Sequence, residues 1–325
     1  MEQGRVLPCS PMRGDMEITS EAKLRQRRTS STMRWIKQNQ TGFLFILPAL
    51  IMYAIFFIRP FITSIYYSFT SWDGVSAVKQ FVGLQNYVQL FQDKLLGLAM
   101  THNVIWVIIG TVAPIIIGLP LAVMLANSKR GRLFFQTGYF LPYVLSGVVV
   151  GMIWGWIYNP LFGLLNYILR SVGLGSLARG WLGDPNLALH AVIAAAVWGY
   201  FGFCVVIFLA GLQNVDVDLT EAARIDGANG LQTFFFITVP QLRHVLNMVL
   251  VYTLIGGFNV FDIVQIMTTG GPANHTELIG TLTYKVSFQQ SNIGYGTTLS
   301  MVMTVLSLIT SYIFMVIRER EEETK

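Results

Sequence analysis

Charge is scarce in this sequence. Only 12% of its 325 residues are Asp, Glu, Lys or Arg, while 53% are hydrophobic; a soluble globular chain carries about a quarter charged residues. Cysteine is nearly missing: Cys9 lies in a polar stretch and Cys204 in an apolar run, which excludes a disulfide framework. Four histidines, His102, His190, His244 and His275, are scattered without ligand spacing, so no metal centre is expected. No Gly-x-x-x-x-Gly-Lys-Ser/Thr string occurs, so this chain is not expected to hydrolyse ATP or to bind a cofactor of its own. The string Gly173-x-Gly175-x-x-Ala178 follows no strand signal and reads as a loop. No Ser-His-Asp grouping is readable, so no catalytic residue is assigned. The pI of about 9.2 comes without a basic stripe interleaved with aromatics, which excludes a nucleic-acid partner. No internal repeat is visible, unlike many self-sufficient carriers. A cleavable signal peptide is not expected, because the stretch before Phe43 is long, polar and basic.

What is present is apolar sequence in long runs. A bilayer core about 30 Å thick needs roughly 20 apolar residues per helix. Six segments meet or approach that: Phe43–Phe69, Val104–Ala126, Leu133–Tyr158, Leu187–Leu212, Val245–Met267 and Thr298–Ile317. The expected class is an all-α integral membrane protein with six transmembrane helices, in contact with the lipid bilayer. Arg59-Pro60 interrupts the first run; one long, kinked helix is the simpler reading and a re-entrant element the alternative. With the N-terminus inside, most of the 22 lysines and arginines fall on the inner side, and only Lys79, Lys94, Arg170, Arg179 and Lys285 lie outside. The positive-inside rule therefore places both termini in the cytoplasm. The expected organisation is a disordered basic tail over residues 1–41, a membrane domain over 42–318, and a short inner tail over 319–325.

One inner loop, residues 213–244, has room for folded structure. Asp218 and Glu221 form an Asp-x-x-Glu variant of the capping box, so a short helix is expected from Asp218. Leu219, Ala222, Ala223 and Ile225 give it a small-residue face, and Gly227 is a natural stop. A second segment, Leu231–Val239, has an apolar side of Phe234, Phe235 and Ile237 to hold it against the bundle, and Pro240 breaks it before the fifth span. On the outer side, Phe81–Phe91 has a period near 3.6 and reads as a short interfacial helix, and Leu161–Val172 behaves similarly. Capping the bundle and contacting a partner are both open for these two.

Glu221-Ala222-Ala223, Gly227, Ile237 and Pro240 resemble the EAA loop of the membrane subunits of bacterial ABC importers. Asp226-Gly227-Ala228 and Phe234 resemble the carbohydrate branch. Phe140-Leu141-Pro142, Trp154 and Gly163-Leu164-Leu165-Asn166 look like its third span and following loop. Thr269-Gly270-Gly271-Pro272 with Thr276-Glu277 looks like the loop after the fifth span in the maltose-type first permease. The resemblance covers about residues 42–318. It implies a type I importer permease fold in the bacterial inner membrane, paired with a second permease subunit, an ATPase dimer holding ATP and Mg, and an extracytoplasmic solute-binding protein. It further implies that Glu221, Ala222, Ala223, Asp226, Gly227 and Pro240 belong to the ATPase-coupling surface, with Glu221 meeting basic groups of the ATPase. A carboxylate that only caps its own helix is the plainer role for Glu221. Gly270, Gly271 and Pro272 are expected near the binding protein.

For the solute, Asp262 is the only carboxylate within the expected spans from the second to the sixth. That scarcity weighs against proton coupling and suits an uncharged, hydroxyl-rich cargo such as a sugar. Tyr200, Phe203, Thr253, Gly256, Gly257 and Asn259, with Trp198 and Tyr252 nearby, are the candidates for its pathway. By the resemblance, Ala196 and Gly199 join them. Aromatic faces stack on sugar rings, but helix packing is the more ordinary use of each ring taken singly. A self-contained carrier or six-helix channel for a small polar solute is the competing reading.

Overall fold

The computed structural model describes residues 40–128 and 130–323. Most of the expected tail over 1–41, Lys129 and the last two residues lie outside the described residues. The chain divides into two units, Met1–Thr63 and Ser64–Lys325.

The first unit holds α1 (Gln40–Tyr53), a π-helical turn, Ala54–Ile58, and the first half of α2 (Arg59–Ser68), which runs on into the second. Pro60 cannot donate to the carbonyl of Phe56. The chain widens by one residue there, and Arg59 N–H reaches back five residues to Ala54. The helix thus continues through Arg59-Pro60, and Leu44–Ser68 is long and apolar enough to cross a membrane.

After the end of α2 the second unit forms a small hairpin, β1 (Thr70–Ser71) antiparallel to β2 (Gln80–Phe81), with Thr70 opposite Phe81. Its turn is held by Asp73, whose Oδ1 accepts from Val75 N, Ser76 N and Ser76 Oγ. Those donors hold the carboxyl down from its ordinary 3.8 to about 2. The helix anticipated over Phe81–Phe91 is confined to α3 (Gln85–Leu90), because Phe81 is taken into the ladder and Gly83 turns the chain. Next comes α4 (Lys94–Ala126), which starts well before the anticipated Val104 because Asp93 caps it, accepting from Leu95 N at 2.9 Å.

The third apolar run is not one helix. It divides into α5 (Arg132–Val144) and α6 (Gly147–Ile157), bent by 99°. Leu145 is extended, and Ser146 Oγ caps the new helix by accepting from Val149 N. A single serine ahead of Gly147 makes this restart, a signal that hydropathy hides. Then follow α7 (Leu164–Ser171) and α8 (Ala188–Gly211), whose final 3-10 turn reaches Asn214.

The segment 213–244 holds α9 (Val217–Ile225), α10 (Gly230–Thr233), a π turn over Phe234–Thr238 and α11 (Val239–Gln241). Pro240 stands in the same register to this π turn as Pro60 does to the first. The proline does not break the segment; the break comes at Leu242, where α12 (Arg243–Phe258) leaves at 74°. The fifth run also ends early. Asn259 donates to Ile255 O, the chain turns over Asn259–Phe261, and α13 (Asp262–Met267) is separate. The following stretch is more than a loop: it carries α14 (Ile279–Tyr284) and a π turn over Lys285–Gln289, with Ile279, Leu282 and Val286 buried. The last helix is α15 (Ile293–Glu323). Among the described residues four helices are long and apolar enough to cross a membrane, or six if each bent pair is one span.

Three apolar clusters fill the second unit. Trp106, Val192, Ile193, Val264 and Leu278 form the middle. Leu119, Ala122, Cys204, Phe208 and Leu242 lie beside the 213–244 segment. Leu90, Leu96, Ile279, Leu282 and Leu299 gather at the opposite end of α4.

Candidate functional site

At one end of the bundle, α9 buries none of its residues, and it exposes Val217, Leu219 and Ile225. Its cap differs from the anticipated one. Asp216 caps the helix, accepting from Asp218 N at 2.9 Å, so Asp218 sits in the first turn and Glu221 is free of the capping box. The shift is possible because two aspartates two apart offer alternative caps, and Asp216 N is itself fixed by Gln241 Oε1 at 2.9 Å. The stop is as expected: Gly227 has φ +86°, Ala228 N donates to Ala223 O and Gly227 N to Arg224 O. Those two bonds are a Schellman ending.

A second cap follows that sequence reasoning missed. Asn229 accepts from Gln232 N at 2.9 Å while Gln232 Oε1 accepts from Asn229 N at 2.8 Å. Asn-x-x-Gln was the available signal. The anchoring side is narrower than Phe234, Phe235 and Ile237: Phe234 packs on the apolar cluster, whereas Phe235 turns outward, 59% exposed. Thr233, just before the π turn, and Thr238, its last residue, are the buried positions. A cavity of about 400 Å³ separates α9 from the end of α4, lined by Val123, Asn127, Glu221, Arg224 and Phe234.

Deeper in the bundle, the solute candidates divide. Tyr200 and Phe203 of α8 and Tyr252 of α12 meet, with Phe203 and Tyr252 centroids 5.1 Å apart. Tyr143 of α5 completes the group, stacked on Phe203 at 4.8 Å and edge-on to Tyr200 at 5.5 Å. Sequence reasoning did not include Tyr143, which lies far from the others along the chain. Gly256 and Asn259 are exposed. Thr253 and Gly257 face the other way: Thr253 is buried with its hydroxyl donated to Val249 O, and Gly257 lies against Val107 of α4. Ala196 and Trp198 pack on the middle cluster, and Asp262 is exposed at the start of α13.

At the far end, the Gly271–Pro272 peptide is cis, and Thr276 Oγ1 donates to Gly271 O. Gly270 lies against the Glu277 carboxylate, which is 1% exposed and pairs with Lys285 Nζ at 3.4 Å. His102 of α4 donates from Nδ1 to Glu277 O at 2.9 Å, and Asn103 Oδ1 accepts from Ile279 N at 2.7 Å. Gly270, Gly271 and Pro272 are thus one wall of a loop built around a buried carboxylate.

Residues 114–320 match the family model described as binding-protein-dependent transport system inner membrane component. Among relatives, the probable ABC transporter permease protein YurN of Bacillus subtilis is 37% identical, over 85% of this chain and 95% of its own length. The multiple sugar-binding transport system permease protein MsmF of Streptococcus mutans is 31% identical, over 86% and 96%. A solved bacterial ABC transporter involved in the import of the acidic polysaccharide alginate contains a chain with TM-score 0.76 at 23% identity, matched over 89% of this chain and 99% of that one. At that identity the likeness speaks for the fold alone.

Proposed function

Because this chain belongs to the family of binding-protein-dependent transport system inner membrane components, we propose that it is one permease half of an ATP-driven sugar importer. It works as a transport subunit and not as an enzyme. A second permease supplies the other half of the pathway, a cytoplasmic ATPase pair holds ATP and Mg, and an extracytoplasmic binding protein delivers the solute at the end bearing Gly270, Gly271 and Pro272. In this reading each bent pair counts as one of six spans, and both termini lie in the cytoplasm.

One observation carries the coupling role: α9 is capped at both ends yet buries nothing in its own chain, and it presents Glu221 beside Ala222 and Ala223. A short helix that exposes Val217, Leu219 and Ile225 is stable on a second surface. Small side chains allow close approach, and the carboxylate gives that approach a partner of opposite charge. Asp226 and Gly227 end the helix, and Pro240 stands at the far end of the same segment. Closure of the ATPase pair then moves α9 with the bundle and shifts the pathway between two states, one open to each side. The Tyr143, Tyr200, Phe203 and Tyr252 rings, with Gly256 and Asn259 nearby, offer stacking faces and hydroxyls to a sugar.

The test is Glu221→Lys in the complex with its binding protein in proteoliposomes. Reversing a charge opposed by a basic group costs about 2–5 kcal/mol at a docked interface. Insertion and expression should stay normal while solute-stimulated ATP hydrolysis and uptake fall together. Normal uptake at normal expression would overturn the coupling role.

A further inference from the structure

We infer that the outward face of α3, continued by Phe81 and Phe91, lies in the bilayer itself, at the level where lipid headgroups meet acyl chains. The partner of this surface is phospholipid, and the leaflet is the one away from Glu221.

Hydrogen bonds set the depth of α3. Asn86 Nδ2 donates to Ser68 O and Thr70 O, both at 2.9 Å, just where α2 ends. Thr298 Oγ1, near the start of α15, donates to the same Ser68 carbonyl at 3.1 Å. Tyr295 Oη donates at 2.7 Å to Asp93, the cap of α4. Both α4 and α15 are long and apolar enough to cross a membrane, so α3 is tied to the ends of two spans. The other end of α4 meets the Glu221 cavity, about 50 Å away at 1.5 Å per residue.

At that depth the helix has three faces. Asn86 and Leu90 are buried against the bundle, with Tyr87 beside them. Leu84 is 65%, Val88 56% and Phe91 93% exposed; at about 100° per residue they share one side. Gln85, Gln89 and Gln92, all exposed, share the side next to it. A helix that merely caps a bundle in water needs two faces, one packed and one polar. Three faces divided among protein, apolar surroundings and water are what a helix lying in a membrane interface requires. Phe81, exposed at the end of β2, extends the apolar side.

The experiment uses the full transporter complex with Cys9→Ser, since Cys204 is buried. Leu84→Cys, Phe91→Cys and Gln89→Cys are each labelled with an environment-sensitive NBD dye in vesicles of phosphatidylethanolamine and phosphatidylglycerol. Labels at 84 and 91 should emit blue-shifted light and be quenched several-fold by lipids brominated near the glycerol, while the label at 89 is quenched by aqueous iodide. Uptake by each labelled variant reports that it folded. An aqueous spectrum at 84 and 91 overturns the inference. So does a blue shift that bromolipids leave unquenched, or one that arises only when the binding protein is added, since either assigns the face to a protein.

Discussion

Gly202 decides where Tyr143 stands. A Cβ at this position would overlap the carbonyl oxygen of Tyr139 and press on Phe140, so α5 lies backbone to backbone on α8. Only that approach lets Tyr143 stack on Phe203. Replacing Gly202 with alanine forces the helices apart, and overpacking of this kind costs about 1–3 kcal/mol. The expected outcome is a lowered unfolding temperature of the purified complex, together with lost uptake. Exchanging Gly256 for alanine, where a Cβ meets nothing within 4 Å, should leave stability unchanged and serves as the control. Tyr200 and Phe203 were legible in the sequence as candidates, but the purpose of the glycine between them was not. A close approach depends on the facing chain, and Tyr139 carries no mark of it.

Elements were more legible where a local signal sets them. The end of α9 at Gly227 follows from the one residue free to take a positive φ without strain. Its beginning does not, because Asp216 and Asp218 compete for the same role and the contact of Asp216 N with Gln241 favours the first. The two π turns illustrate a further limit. Proline marks where a bond must be lost, but whether the chain kinks, stops or widens depends on its neighbours. In both cases it widens two residues before the proline. The cap at Asn229 is testable by itself. Asn229→Ala removes the reciprocal bonds with Gln232 and costs about 1 kcal/mol. Faster amide exchange over residues 229–233, with exchange in α8 unchanged, is the expected reading in hydrogen–deuterium exchange. An unchanged rate there would mean that packing of Thr233 and Phe234 holds the segment without the cap.

Across the whole molecule, hydropathy located the apolar runs but not their breaks, since a bent pair and a straight span have the same composition. It also passed over the stretch after α13, where Ile279, Leu282 and Val286 are too few to make a span and enough to fill a core. That stretch closes one end of the bundle through Glu277, which binds α4 through its carbonyl and Lys285 through its carboxylate. A buried carboxylate left without its partner is strongly destabilising, by about 3–5 kcal/mol, whereas replacing both charges with apolar groups is often neutral. Lys285 is 32% exposed, so water softens the loss and the lower part of that range applies. Lys285→Met alone should therefore lower the unfolding temperature of the complex clearly. Glu277→Gln should lower it less, since an amide keeps the shape against Gly270. Joining Lys285→Met to Glu277→Met should recover much of the first loss, measured as a double-mutant cycle. Additive losses would show that the two side chains act separately and that the loop stands on its backbone bonds to His102 and Asn103.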